Sequence, residues 1–372
     1  MSNFLSDPIV LDVPTLYCPV PATVVPDEVV FEERGLSWMK QFGFGQDDAE
    51  WRRIVGFNSG EYLARIFPRA DADRVQLFVD WTNLFFAMDD IVGDEGGLAT
   101  DPGGFADLAA RTVRTMEVPD ADLLPAGIPF SDAVRDLTLR TRELSTPGQF
   151  RRFAEAHRAW WSGTLWQMGM KESGRVPTLN EYVALRPLDD GSAPSAVLVE
   201  ITAAPRLDAA DLETPLMRAV IESWGLVVGV HNDLASYGKE LWFARRYDGA
   251  AKPFPANVVD LLMRSRSCSL GEALGLAAEL ADQTMHVFMC LCEQIRESAS
   301  APMHALLDGL ADAVRGTLDY YGSPGTQRYT NPDGSSPGAV RVGLTLTDRP
   351  SAAALTVPQL PSIAWWWELA GL

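Results

Sequence analysis

A chain of 372 residues that is 47% hydrophobic and 22% charged has an ordinary globular balance, with length for one large domain or two smaller ones. Its net charge of −19 excludes a nucleic-acid partner, whose phosphates demand a basic face. No apolar run reaches the ~20 residues of a bilayer span, and Met1-Ser2-Asn3-Phe4-Leu5 lacks the basic region and apolar core of a signal peptide, so the sequence predicts a cytoplasmic protein with no membrane span.

Residues 1–29 carry Pro8, Pro14, Pro19, Pro21 and Pro26 and read as an extended, proline-rich arm. From Glu32 the pattern turns helical. Apolar residues recur at three- and four-residue spacing near 47–57, 60–66, 72–92, 104–116, 130–144, 148–172, 178–186, 212–241, 256–264, 270–298 and 302–321. Breaks fall at Gly96-Gly97, Pro102-Gly103-Gly104, Pro147-Gly148, Gly174, Gly191 to Pro194 and Gly249 to Pro255. Strand alternation is scarce. Helices joined by short polar turns predict a single all-α domain over residues 30–330. Residues 331–372 form a tail. It opens with the linker composition of Asn331 to Gly338 and ends in Trp365-Trp366-Trp367, which is expected to pack back on the domain. Cys18, Cys268, Cys290 and Cys292 form no C-x-x-C pair, so reduced thiols fit better than a zinc site or a disulfide framework.

The segment Trp81 to Gly97 takes an apolar, aromatic helix straight into Asp89, Asp90, Asp94 and Glu95. Carboxylates at a helix C-terminus oppose the macrodipole and repel one another, a strain that a bound cation relieves. Asp90 and Asp94 share a face, with Asp89 about 100° away. Oxygen donors without Cys or His point to Mg²⁺, Mn²⁺ or Ca²⁺. A solvated acidic helix end is the competing reading, since D-D-x-x-x-D recurs by chance in acidic proteins.

A second cluster runs from His231 to Glu240, after the apolar run Trp224 to Val230. Asn232, Ser236 and Glu240 are spaced four apart and line one helical face over two turns, which brings an amide, a hydroxyl and a carboxylate oxygen together for one cation. Gly225 and Gly229 lie just before them. Each costs a helix interior ~1 kcal/mol relative to alanine, which makes sense where a ligand or another helix approaches closely. A polar helix end with small-residue packing would leave the same pattern. His231 projects off the metal face as a surface or packing residue.

Together these features resemble the bacterial class I terpene synthases. Asp89-Asp90-x-x-x-Asp94 is similar to the family's aspartate-rich motif, with Asp94 where many members carry Glu. Asn232-Asp233-x-x-Ser236-x-x-Lys239-Glu240 matches the second metal motif in full, about 140 residues later. The segment Val176 to Arg186 resembles the one carrying the diphosphate-sensing arginine, and Arg186 lies 46 residues before Asn232. Asn257-Val258-Val259 resembles a short family segment after the second metal helix, and Arg328-Tyr329 resembles the C-terminal R-Y pair.

The resemblance implies a class I terpenoid synthase α-helical barrel. It would hold three Mg²⁺ ions, with Mn²⁺ as an alternative, on Asp89, Asp90, Asp94, Asn232, Ser236 and Glu240. The metals would recruit the substrate diphosphate, with Arg186, Lys239, Arg328 and Tyr329 as further contacts. Arg186 with Asp190 and Gly191 would carry the family's sensor and effector positions. Trp81, Phe85 and Phe86, with Trp160 as a further candidate, would line the cavity that stabilises the carbocation. The implied reaction is ionisation of a small-molecule prenyl diphosphate, farnesyl first and geranylgeranyl second, by a protein that could act as a homodimer. A chain-elongating prenyltransferase and a non-enzymatic helical metal- or partner-binding protein are the alternatives.

Overall fold

The long helices start where the sequence supplies a cap. Thr146-x-x-Gln149, Thr178-x-x-Glu181 and Ser269-x-x-Glu272 each close a reciprocal capping box, and Asn257 and Ser300 cap two further helices with a single side-chain bond. In the computed structural model, which describes residues 9–23, 28–88, 101–121, 123–124, 129–203, 207–246, 257–330 and 340–372, these starts belong to an all-α frame. Its first half comprises α1 (Glu28–Gln41), α2 (Asp48–Val55), α3 (Ser59–Ile66), α4 (Ala72–Met88), α5 (Pro102–Glu117), α6 (Pro129–Leu144) and α7 (Pro147–Glu172). The second half comprises α8 (Leu179–Asp189), α9 (Ser192–Ala203), α10 (Ala209–Leu212), α11 (Pro215–Arg246), α12 (Val258–Arg266), α13 (Leu270–Arg296), α14 (Ala301–Tyr321) and α15 (Ala364–Ala370). Among the described residues, no helix is long and apolar enough to cross a membrane.

One continuous apolar core, from Ile9 to Trp367, joins these elements. Helix α11 lies at its centre and packs on α8, α9, α12, α13, α14 and α15. The pattern predicted a break from Gly191 to Pro194, but α9 starts there. Pro194 sits in its first turn, where a missing N–H costs no helical hydrogen bond.

Among the described residues, four short strands frame the helices. β1 (Ile9–Asp12) pairs in parallel with β3 (Val340–Gly343), and β2 (Leu16–Tyr17) with β4 (Leu346–Thr347). Along β1, Ile9 and Leu11 are buried while Val10 and Asp12 are exposed. The Tyr17 amide donates to Asp282 on α13 at 2.8 Å, which fastens this edge to the core. Leu11 and Val340 press on Gly238 of α11; a Cβ there would lie 3.2 Å from Leu11 and collide with Val340. At the other end Trp366 and Trp367 are buried, Trp365 is half-buried under the Arg218 guanidinium, and α15 rests on α11 and α13.

Where α1 meets α3, the Gly60 amide donates to Glu32 at 2.7 Å. Burial pushes the Glu32 carboxyl up to about 7, although the Gly60 N–H favours its charged form. An acid raised in the fold favours folding below its unfolded value of 4.5 and loses that contribution as pH rises through 7. Glu32→Gln is therefore expected to match the wild-type melting temperature at pH 5 and to exceed it at pH 8. Equal melting temperatures at both pH values would contradict the burial argument.

Candidate active site

Helix α8 carries Arg186 to a buried position against α11 because two glycines clear the way. A Cβ at Gly225 would lie 2.7 Å from the Ser192 hydroxyl and 3.1 Å from Pro187, and one at Gly229 would lie 2.7 Å from Arg186 Cγ and 2.8 Å from Asp190 Oδ2. The close approach expected at these glycines is thus that of the α8–α9 corner, and it brings Arg186 against the segment that carries Asn232.

Arg186 Nη1 donates to Asp189 at 2.8 Å and Nη2 donates to the Asn232 amide oxygen at 2.9 Å, while Nη2 also forms an ion pair with Asp233 at 2.8 Å. Burial opposes the guanidinium charge, but Asp233 and Asp189 outweigh it and hold Arg186 protonated well above its ordinary range. Burial raises Asp189 and Asp233, with Arg186 pulling both back down, and it raises Asp190 to about 6. Helix α8 stops at Asp190, which accepts the Ser192 amide at 2.8 Å. Gly191 follows at φ +77°, a left-handed turn that suits glycine, and its carbonyl accepts the Ser195 hydroxyl at 2.8 Å.

Asn232, Ser236 and Glu240 stand on successive turns of the unbroken helix α11. The Ser236 hydroxyl donates to Glu240 Oε1 at 2.9 Å, so these two donors converge, and Lys239 is buried beside them. An amide, a hydroxyl and a carboxylate oxygen suit a hard divalent cation, so the donor set fits the metal that the sequence predicts. Asp89, Asp90 and Asp94, the first predicted ligand set, lie outside the described residues.

The Asn232 amide nitrogen donates to the hydroxyls of Tyr329 at 3.1 Å and Tyr321 at 3.2 Å. The R-Y segment therefore already lies against α11. It is pinned by Gln327 N–H to Gly56 O at 3.0 Å on one side and by Val340 N–H to Thr330 O at 3.0 Å on the other. The Arg328 guanidinium sits 4.1 Å over the Phe86 ring and 5.3 Å from that of Phe57.

The predicted aromatic set divides in two. Trp81 and Phe85 stack at 5.2 Å, and Phe85 meets Trp160 edge to face at 5.1 Å. Phe86, about 100° round the helix, joins Arg328, Phe57 and Tyr62 instead. Trp81 is fixed through its indole N–H to Thr141 at 2.9 Å, and Trp160 through its own to the Asp189 carbonyl at 3.1 Å. Trp160 thus links the aromatic cluster to the Arg186 corner.

Residue patterns alone did not single out Asp189, Tyr182, Tyr321 or His157. Tyr182 donates to Asp233 at 2.9 Å, and the Val258 amide and the Asn257 side chain also bind Asp233, at its carboxylate and its carbonyl. The motif's aspartate therefore binds α8 and α12 together. The N-D pair followed by Asn257-Val258 carried a signal for this; no local pattern marks Tyr321 or His157.

Residues 80–287 match the family described as terpene synthase family 2, C-terminal metal binding. Phomopsene synthase from Allokutzneria albata is 32% identical over 370 residues, covering 99% of this chain and all of that protein. The crystal structure of the SVS_A2 protein, from ancestral sequence reconstruction, is 31% identical with a TM-score of 0.78 over 97% of this chain and 100% of that one. The structure of 2-methylisoborneol synthase from Streptomyces coelicolor, in complex with Mg²⁺ and 2-fluoroneryl diphosphate, shares the fold at 24% identity, with a TM-score of 0.73 over 87% of this chain and 99% of that one. Agreement of this extent in sequence and in fold means that the chain belongs to the terpene synthase family.

Proposed function

We propose that this chain ionises farnesyl or geranylgeranyl diphosphate in the presence of Mg²⁺ and cyclises the resulting cation to a terpene hydrocarbon or alcohol. The observation that carries this reading is the buried contact between Arg186 and Asn232, where a forked cation meets a metal-motif oxygen at 2.9 Å. A fold neighbour that holds Mg²⁺ and a prenyl diphosphate analogue supports it.

Asn232, Ser236 and Glu240 would hold metal, with Asp89, Asp90 and Asp94 as the opposing ligands that the motif implies, and three ions as the family resemblance implies. Bound there, Mg²⁺ supplies Lewis-acid neutralisation of the departing diphosphate. The chain's own cations complete that task. Arg186 offers a planar fork matched to phosphate oxygens, and Lys239 and Arg328 add charge. When Arg186 turns from Asp189 and Asp233 to the diphosphate, the change passes along α8 into the Asp190–Gly191 turn. Tyr329 and Arg328, which already lie against α11, would keep water from the cation. Phe85 and Trp160 would present π faces to positive charge, each worth ~2 kcal/mol or more when desolvated, with the fully buried Trp81 stacked behind Phe85.

The test is incubation with geranyl, farnesyl and geranylgeranyl diphosphates, with and without Mg²⁺. Diphosphate release and the products, by gas chromatography with mass detection, are measured together. Metal-dependent release with a cyclic product is expected from one of the two longer substrates, and release is expected to vanish in the Asp90→Asn, Asn232→Ala double variant. Longer diphosphates as products would identify a prenyltransferase, and undiminished turnover in the double variant would refute the site assignment.

A further inference from the structure

One polar side chain in the aromatic cluster has no place in the chemistry above. His157, on α7, is fully buried, with ring centroids of Phe153, Phe85, Trp81, Trp160 and Trp161 at 4.3, 5.3, 5.7, 6.0 and 6.1 Å. Its Nδ1 lies 2.8 Å from the Phe153 carbonyl. A carbonyl oxygen only accepts, so Nδ1 carries the hydrogen and Nε2 keeps its lone pair. That Nε2 is buried and has no hydrogen-bond partner among the described residues.

An unsatisfied buried acceptor destabilises the fold, and a phenylalanine would fill the same space among these rings without that cost. The feature makes sense if its partner is absent from the resting protein and is positive. Phe85 and Trp160, which flank the imidazole, are only half-buried, whereas His157 is fully buried between them and the core. They are also among the rings proposed to face the carbocation, and Trp160 is anchored at Asp189 beside Arg186.

We infer that His157 is a specificity-determining positioning residue, a neutral imidazole locked in one tautomer whose Nε2 lone pair holds positive charge at the Phe85–Trp160 side of the cavity. It works through the rings in front of it, by adding a negative dipole end to their π faces where no water screens it. No bond to the histidine forms or breaks. Burial lowers its pKa to about 4, against the favourable hydrogen bond to Phe153, so the ring stays neutral at working pH and does not repel the cation. By favouring charge at one side, it selects which cations along the cascade live long enough to react onward.

This inference rests on the proposed carbocation chemistry. The decisive measurement is binding of a tertiary-ammonium analogue of the prenyl cation to the Mg²⁺-loaded protein with inorganic diphosphate, beside the product profile. His157→Phe keeps the ring and removes the lone pair. His157→Gln can donate to the Phe153 carbonyl while still offering an oxygen. We expect His157→Phe to bind the ammonium analogue at least about tenfold more weakly and to shift its main product, with the affinity for inorganic diphosphate unchanged. His157→Gln is expected to keep most of the analogue affinity. Equal losses in both variants would assign His157 to packing alone and overturn the inference, as would wild-type affinity and products in His157→Phe. If the wild-type protein neither binds diphosphate with Mg²⁺ nor turns over a prenyl diphosphate, it is the functional reading that fails.

Discussion

Arg186→Met is expected to lower diphosphate release by about a thousandfold and to destabilise the fold by about 3–5 kcal/mol. The catalytic loss follows from removing the forked donor nearest the second metal motif. The stability loss has a separate origin. Asp189 and Asp233 are both buried, and burial drives each of them upward while this guanidinium is the largest influence pulling them back down. Without Arg186, two carboxylates face each other's field in a dry pocket, and the cheapest escape is to take up protons. Urea denaturation should therefore show a deficit that is largest at pH 8 and smaller at pH 5. Arg186→Lys restores charge but not the fork, and is expected to recover stability more fully than turnover. A stable Arg186→Met variant at pH 8 would show that the aspartates are not dependent on it.

Truncating the C-terminal indoles is the second large effect. Trp366→Ala and Trp367→Ala are each expected to cost about 3–5 kcal/mol, because both rings are buried in the core between α15, α11 and α13. The two rings stack at 6.1 Å, so the double variant should lose less than the sum. Trp365→Ala is the control. That ring is half-buried at the edge of the core, against Trp366 and the Arg218 guanidinium, and its loss should be smaller. Chemical denaturation of the three variants checks the ranking. Equal effects at all three positions would mean that the tail does not dock as described.

The helical frame was legible because its signals are local. Three- and four-residue periodicity, capping pairs such as Thr178 with Glu181, and glycine or proline breaks all act within a turn or two. Helix α9 is hidden in the sequence because Gly191 and Pro194 have the composition of a break, whereas proline in a first turn suits a start. The strands were hidden for another reason. β1 and β3 have four residues each, and their partners lie at opposite ends of the sequence, so no window contains the pair. At the site, the spacing of Asn232, Ser236 and Glu240 was readable from helix geometry, and Arg186 from family resemblance. What no spacing could show was which partner each charge keeps. Asp233 stands one residue from Asn232, yet points to Tyr182, Arg186 and Val258, and Phe86 stands next to Phe85, yet lies under Arg328.

The joined strands also set an order of events during biosynthesis. Residues such as Thr15 and Thr345, which touch across this seam, are 330 positions apart, so the first strand leaves the ribosome long before its partner exists. The helices that enclose Arg186 and Asn232 can collapse in the interval, but the segment bearing Arg328 and Tyr329 has nothing to anchor its far side until β3 arrives. A chain lacking residues 340 onward would thus keep most of its hydrophobic core while the segment bearing Arg328 and Tyr329 lost its far anchor.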